Sequence, residues 1–330
     1  MQGVRILDLG SWILDFEFVM VGLNRTVCRF LALAGLISIV SCFAGCSREI
    51  LSPQNSSSRT VTDDLGREVR VPQTIERAIS LAPSITESIF AAGAGHRMVG
   101  VTTYCNYPAE TASVEKIGDT LNPNIEKIIA LKPDIVFVST ASQLESFTKT
   151  LEEQGVSVFV SDPKNLHDVF QSIIRFGDLF GTRENAEKTV RELDSRRQMA
   201  THVASFVEPR AERTRLTKVF VQISKEPLFT IGKDSFLTDV LELACGESVT
   251  NYVPTAYPML SKETALALNP EAIILSDSED NQEPNDVFKN SSAVKNGRVY
   301  KINADIISRP GPRLVDAIEQ IAGFLHGEMN

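Results

Sequence analysis

Two stretches of this chain carry one arrangement of hydrophobic and polar positions. Residues 126–138 (EKIIALKPDIVFV) and 263–275 (ETALALNPEAIIL) share the pattern Glu-x-x-x-Ala-Leu-x-Pro-acid, followed by an unbroken apolar run. Apolar residues three and four apart predict a short helix, the proline ends it, and the apolar run predicts a strand buried on both faces. Upstream of each copy a second pair repeats: a strand at 78–81 before a helix at 84–92, and a strand at 219–221 before a helix at 235–244. Both helices run into glycine, Gly93 and Gly246, as helix C-termini commonly do. Further strands are predicted at 98–101, 156–160 and 298–302. Strand alternating with helix predicts a mainly parallel sheet in each half.

Between the halves, residues 182–207 contain no proline or glycine and place Ala186, Val190, Leu193, Ala200 and Val203 at helix-compatible intervals. At 1.5 Å per residue this predicts a rod about 39 Å long, ended by Glu208-Pro209. The predicted fold is α/β: two α/β lobes, 61–181 and 210–330, each with a mainly parallel sheet, joined by a single long rigid helix over 182–209. A surface helix on one continuous domain is the alternative.

Composition narrows the function more by exclusion than by suggestion. The chain is 43% hydrophobic and 23% charged, as an ordinary globular protein is. Its net charge of −9 is spread without long runs, so it offers no footprint for a nucleic-acid backbone. His96, His167, His202 and His326 lie far apart and never pair at metal-ligand spacing. Gly93-Ala-Gly95-His-Arg-Met-Val-Gly100 follows a helix instead of a strand, so its glycines read as turns, not as a nucleotide loop. No Gly-x-Ser-x-Gly elbow and no Gly-Lys-Ser/Thr loop is present, and Cys105 has no histidine near it in sequence. An envelope enzyme is thereby disfavoured.

The first 60 residues read as an address. Phe30 to Gly45 is apolar but too short for a comfortable membrane span, and Arg25 and Arg29 precede it, as in a signal peptide over 1–45. Asp8, Asp15 and Glu17 do not suit an export segment, which argues for translation starting at Met20. Phe43-Ala44-Gly45-Cys46 resembles the lipobox of bacterial lipoproteins, making Cys46 the lipidated residue, and Ile39-Val40-Ser41-Cys42 fits the same pattern four residues earlier. Residues 46–60 then read as a polar, flexible tether. Cleavage would remove Trp12, the chain's one tryptophan, and leave Cys105 and Cys245 in the body, where two separate thiols are expected in place of a disulfide.

At residues 77–108 (RAISLAPSITESIFAAGAGHRMVGVTTYCNYP) the chain resembles the N-terminal lobe of substrate-binding proteins of the iron-siderophore and vitamin B12 family, particularly the cobalamin-binding branch. The likeness continues through IEKIIALKPDIVFV, EPLFTIGKDSFLTDVLELACGE, PMLSKETALALNPEAII and SRPGPR. It implies two lobes bridged by a rigid helix, a ligand gripped between them without chemistry, no resident cofactor, and a monomer delivering a small metal-chelate ligand to the permease and ATPase of an ABC importer. Carried over residue by residue, it places Pro83, Tyr104, Tyr257, Asp305 and Arg309 in the ligand cleft, with Tyr107 packing instead, and Glu126 and Glu263 as acids that dock the permease, one per lobe. It departs from cobalamin binders at Thr120, Leu121, Ser139 and Ile223, where aromatic rings are usual. A corrinoid is the expected ligand; a ferric siderophore or haem is the alternative.

Overall fold

The structure, a computed structural model, describes residues 58–140, 144–206 and 216–327. Cys42, Cys46, the signal-peptide reading and most of the tether lie outside the described residues. The elements run, in order, β1 (Ser58–Thr62), β2 (Glu68–Pro72), β3 (Ala78–Ser80), α1 (Pro83–Ala91), β4 (Met98–Val101), α2 (Ile125–Ala130), β5 (Ile135–Val138), α3 (Leu144–Glu153), β6 (Val158–Val160), α4 (Leu166–Phe180) and α5 (Arg183–Phe206). The second half follows with β7 (Thr217–Gln222), α6 (Phe236–Leu243), β8 (Gly246–Ser248), α7 (Lys262–Leu268), β9 (Ala272–Asp277), α8 (Ser292–Lys295), β10 (Val299–Asn303), α9 (Ala304–Ile307) and α10 (Leu314–His326).

The repeat read from the sequence is a repeat in space. One sheet has the order β4-β3-β5-β6 and the other β8-β7-β9-β10, all neighbours parallel. Strand for strand, β3 corresponds to β7, β4 to β8, β5 to β9 and β6 to β10. The double-sided burial predicted for the central strands follows from this arrangement. Ile135 and Phe137 face a core that runs without a break from the first sheet past Ala186 and Ala200 of α5 to Ala272 and Ile274 of the second. Val136 and Val138 face a separate core beneath α2 and α3, and Ile273 and Leu275 face a third with Phe220 and Phe288. Each strand must therefore be apolar at every position, where an open sheet would alternate.

The connecting helix is α5, 24 residues long, or about 36 Å at 1.5 Å per residue. Helices from both halves pack along it, α4 from the first and α10 from the second. Arg196 on α5 is held by Asp316 at 2.7 Å and by Glu319, both on α10, and Thr201 donates to the Leu243 carbonyl at 2.7 Å. The two sheets are thus joined by a shared core as well as by the helix.

Some local expectations change. Gly93 takes φ +81 just past α1, as expected, but beyond α6 the left-handed residue is Cys245, at φ +58, and Gly246 opens β8. Gly246 is small for another reason: a β-carbon there would come 2.9 Å from Leu325 Cδ1. β1 begins at Ser58, inside the stretch read as tether, because it pairs antiparallel with β2. Of the glycines read as turns, Gly95 packs under the Phe90 ring, where a β-carbon would come within 2.3 Å, and Gly100 is not in a turn but within β4, where a β-carbon would lie 3.1 Å from Ile79, Ile117 and Leu131. Cys105 and Cys245 form no disulfide; the buried Cys105 thiol lies 3.2 Å from the hydroxyls of both Thr86 and Thr102.

Candidate functional site

In open parallel sheets, ligands collect beyond the carboxyl ends of the strands. All five residues expected in the cleft lie there. Pro83 follows β3, Tyr104 follows β4, Tyr257 follows β8, and Asp305 and Arg309 follow β10. Tyr104 and Tyr257 lie on corresponding loops of the two halves, each leaving the strand next to the first strand of its sheet, but at different points along them: in the register of the repeat, Tyr257 corresponds to Thr120.

Pro83 is the first residue of α1, where its missing N–H costs nothing and its fixed φ favours helix entry. One turn on, Glu87 points into the junction of the lobes with its side chain 1% exposed. A carboxylate so buried requires charged partners, and two arginines from the other lobe provide them. Arg313 grips it with both ends of its fork, Nε to Oε2 at 2.9 Å and Nη2 to Oε1 at 2.6 Å. Arg309 donates from Nη1 to the same Oε1 at 3.2 Å. Burial alone would lower the Arg313 pKa, yet it is raised, because the hydrogen bonds to Glu87 and the charges of Glu87 and Asp305 outweigh that penalty. Gly311 brings this segment into ordinary van der Waals range of α1, with Ser84 Cα 3.5 Å from where a β-carbon would stand.

Arg309 also donates from Nη1 to Asn106 Oδ1 at 2.9 Å and from Nη2 to the Tyr104 carbonyl at 3.2 Å, and it pairs with Asp305. Asn106 closes the ring by donating to Asp305 Oδ2 at 2.7 Å. Tyr104, Asp305 and Arg309 are therefore brought together across the lobe junction, joined by Glu87, Asn106 and Arg313, three residues that sequence reasoning did not single out. Tyr107 does not pack into a core: it is half-exposed, with the Arg313 guanidinium 4.5 Å above its ring. A cavity of about 310 Å³ reaches this cluster, lined among others by Glu87, Tyr107, Arg313 and Leu193 and Arg196 of α5.

Tyr104 is 58% exposed and Tyr257 41% exposed. Tyr257 belongs to a second cluster. Its loop is pinned to residues 230–233 by backbone bonds from Thr230 to the Pro258 carbonyl, Gly232 to Ala256 and Lys233 to Val253. Its phenol is raised above the usual tyrosine value by burial, which outweighs a hydrogen bond with Ser235, itself the cap of α6. At the positions departing from the aromatic pattern, Leu121 is exposed on a loop tied by Asp119, whose carboxylate accepts from the Asn122 and Leu121 backbone, and Ile223 is partly buried against the core.

Glu126 and Glu263 lie apart from this network. Each is exposed in the first turn of its helix, α2 capped by Asn124 and α7 capped by Ser261, at equivalent places in the repeat. Since the chain leaves β4 and β8 at their carboxyl ends before entering these helices, both N-termini lie on the same side of their sheets as the tyrosines. Glu263 is held below the usual glutamate range by its own backbone N–H and the Ser261 hydroxyl. Among the described residues, no group of His, Cys, Asp and Glu could hold a metal ion.

Comparison with known proteins bears on this arrangement. Residues 79–306 match the model of a family described as periplasmic binding protein. An ABC transporter substrate-binding lipoprotein of Bacillus subtilis is 32% identical over 81% of this chain and 85% of its own length. A vitamin B12-binding protein of Vibrio vulnificus is 30% identical, over 75% of this chain and 89% of its own. Among solved structures, the periplasmic vitamin B12 binding protein of Vibrio cholerae superposes with a TM-score of 0.64 at 28% identity, covering 76% of this chain and 96% of that one. A periplasmic haem binding protein from Pseudomonas aeruginosa shares the fold, with a TM-score of 0.68 at 21% identity over 78% of this chain and 94% of its own.

Proposed function

The chain belongs to the periplasmic binding protein family, the substrate-binding components that work with the permease and ATPase of ABC importers, and from that premise we propose that its cargo is cobalamin or a related corrinoid. The observation that carries the reading is the placement of Tyr104 and Tyr257, two exposed tyrosines on corresponding loops beyond the carboxyl ends of the two sheets. A flat macrocycle gains from such rings, each of which offers an apolar face and a hydroxyl at its edge. The relatives named for vitamin B12 cover most of the chain and support the same ligand class. Pro83 shapes the entrance beside Tyr104, and Asp305 and Arg309 border the floor. The protein acts outside the cytoplasm, tethered by a lipid on Cys46 after removal of residues 1–45. Glu126 and Glu263 present one acid per lobe to basic residues of the permease, a two-point dock whose complementary charge steers association.

The test is a titration of the purified protein with cyanocobalamin, cobinamide, haem and a ferric chelate, followed by visible absorbance. Saturable binding of a corrinoid is expected; binding of haem or the ferric chelate alone would assign the cleft to another cargo of the same importer class.

A further inference from the structure

Arginine is the side chain best built to take a carboxylate, and two of them stand at the lobe junction, one bonded to the Tyr104 carbonyl and both to Glu87. Both are already engaged by protein acceptors. Each terminal nitrogen of Arg309 already has two protein acceptors: Glu87 and Asn106 on Nη1, the Tyr104 carbonyl and Asp305 on Nη2. Arg313 is held in a two-pronged bond by Glu87 and stacked over Tyr107. The charges of the quartet sum to zero, Glu87 and Asp305 against Arg309 and Arg313. Glu87 is the deepest member, 1% exposed, and it belongs to α1 of the first half while both arginines belong to the second. It bonds both guanidinium groups at once.

We propose that Glu87 is a specificity-determining residue: as the buried counter-ion of Arg309 and Arg313, it keeps the cleft floor neutral, so that the floor suits a ligand rimmed with uncharged amides and disfavours one that presents carboxylates. The inference deepens the corrinoid reading and takes its choice of ligands from it. Removing the Glu87 charge leaves a surplus positive charge in a site shielded from water, where a ligand carboxylate meets it at low effective dielectric. Removing a neighbouring positive charge at the same time restores the balance.

The experiment measures the affinities of wild-type protein, Glu87→Gln and Glu87→Gln/Arg313→Gln for cyanocobalamin and for haem, whose two propionates serve as the anionic probe. In Glu87→Gln the ratio of haem to cyanocobalamin affinity rises about tenfold, the equivalent of a modest charge interaction, and the gain shrinks at high salt. In the double variant the ratio returns toward that of the wild type. A role confined to holding the lobes together would weaken both ligands alike and would make the double variant no closer to wild type. An unchanged ratio in Glu87→Gln, or parallel loss of both affinities, overturns the proposal. If Glu87→Gln does not fold, Asp305→Asn removes one negative charge from the half-exposed edge of the same quartet and must shift the ratio in the same direction, or the proposal falls. Should the wild type bind neither probe, the corrinoid reading fails separately; a gain of haem binding by the single variant would still support the charge balance, and no gain would refute it.

Discussion

Gly232 and Thr255 approach so closely that a β-carbon on the glycine would lie 2.1 Å from the Thr255 carbonyl oxygen, and 2.8 Å from that of Val253. The contact seats the loop carrying Tyr257 on the residues just before α6. Gly232→Ala must push that loop away, a backbone displacement worth about 1–3 kcal/mol of the kind seen on overpacking. The variant should lose corrinoid affinity as well as stability; wild-type affinity would show that Tyr257 is not placed by this contact.

Tyr104 and Tyr257 expose enough surface that their removal should leave the fold intact. Tyr104→Ala and Tyr257→Ala are each expected to weaken corrinoid binding about tenfold, as for loss of an aromatic contact of about 1–1.5 kcal/mol, while the thermal midpoint moves by no more than a few degrees. Large destabilisation without an affinity effect would assign the rings to packing.

Reversing the two exposed acids separates capture from delivery. Glu126→Arg/Glu263→Arg should bind corrinoid as the wild type does and fail to support its uptake in cells or in reconstituted vesicles containing the importer. Uptake at the wild-type rate would remove both glutamates from the docking surface.

The Glu263 carboxylate accepts from its own N–H and from Ser261, so its folded pKa lies below the unfolded one. The stabilisation that results is fully present above the unfolded value and is lost as pH falls through the folded value. A carboxyl NMR titration should place the Glu263 midpoint below the usual glutamate range, and Ser261→Ala should move it back up. A wild-type midpoint at or above the usual value would contradict the capping geometry.

Breaking the lobe-junction pair from one side leaves Glu87 with Arg309 alone. Arg313→Met is expected to cost about 2–4 kcal/mol in denaturant unfolding, near the range for a buried ion pair stripped of one partner. The double variant Glu87→Gln/Arg313→Met should lose less than the two single losses added, because no unpaired carboxylate then remains. Simple additivity would mean that the two side chains do not act as a pair.

Much of the fold was legible because its signals are local and doubled. Ile135–Val138 and Ala272–Leu275 are apolar at every position because each lies between two cores, and Pro83, Asn124, Ser235 and Ser261 start their helices by ordinary entry and capping chemistry. Helix α5 starts within one residue of the proline-free stretch between the halves and follows it to Phe206, the last described residue there. The site was less legible. Tyr104, Asp305 and Arg309 were expected near one another only through family resemblance, and Asn106, Glu87 and Arg313 were missed because their partners are more than 190 residues away in the chain. One signal was available: Glu87 sits between Ile85 and Ile89 on a helix whose other residues are apolar or small and weakly polar, and a carboxylate in such a setting demands a cation from elsewhere. Arg313, four residues beyond Arg309 after the last strand, was the unassigned cation.

The most direct measurement is calorimetric titration of cyanocobalamin into the wild-type protein and into Tyr104→Ala/Tyr257→Ala. One molecule bound per chain is expected, with affinity about a hundredfold weaker in the double variant if the two rings act independently. No binding by the wild type, or equal binding by both proteins, would contradict a corrinoid held between the two halves.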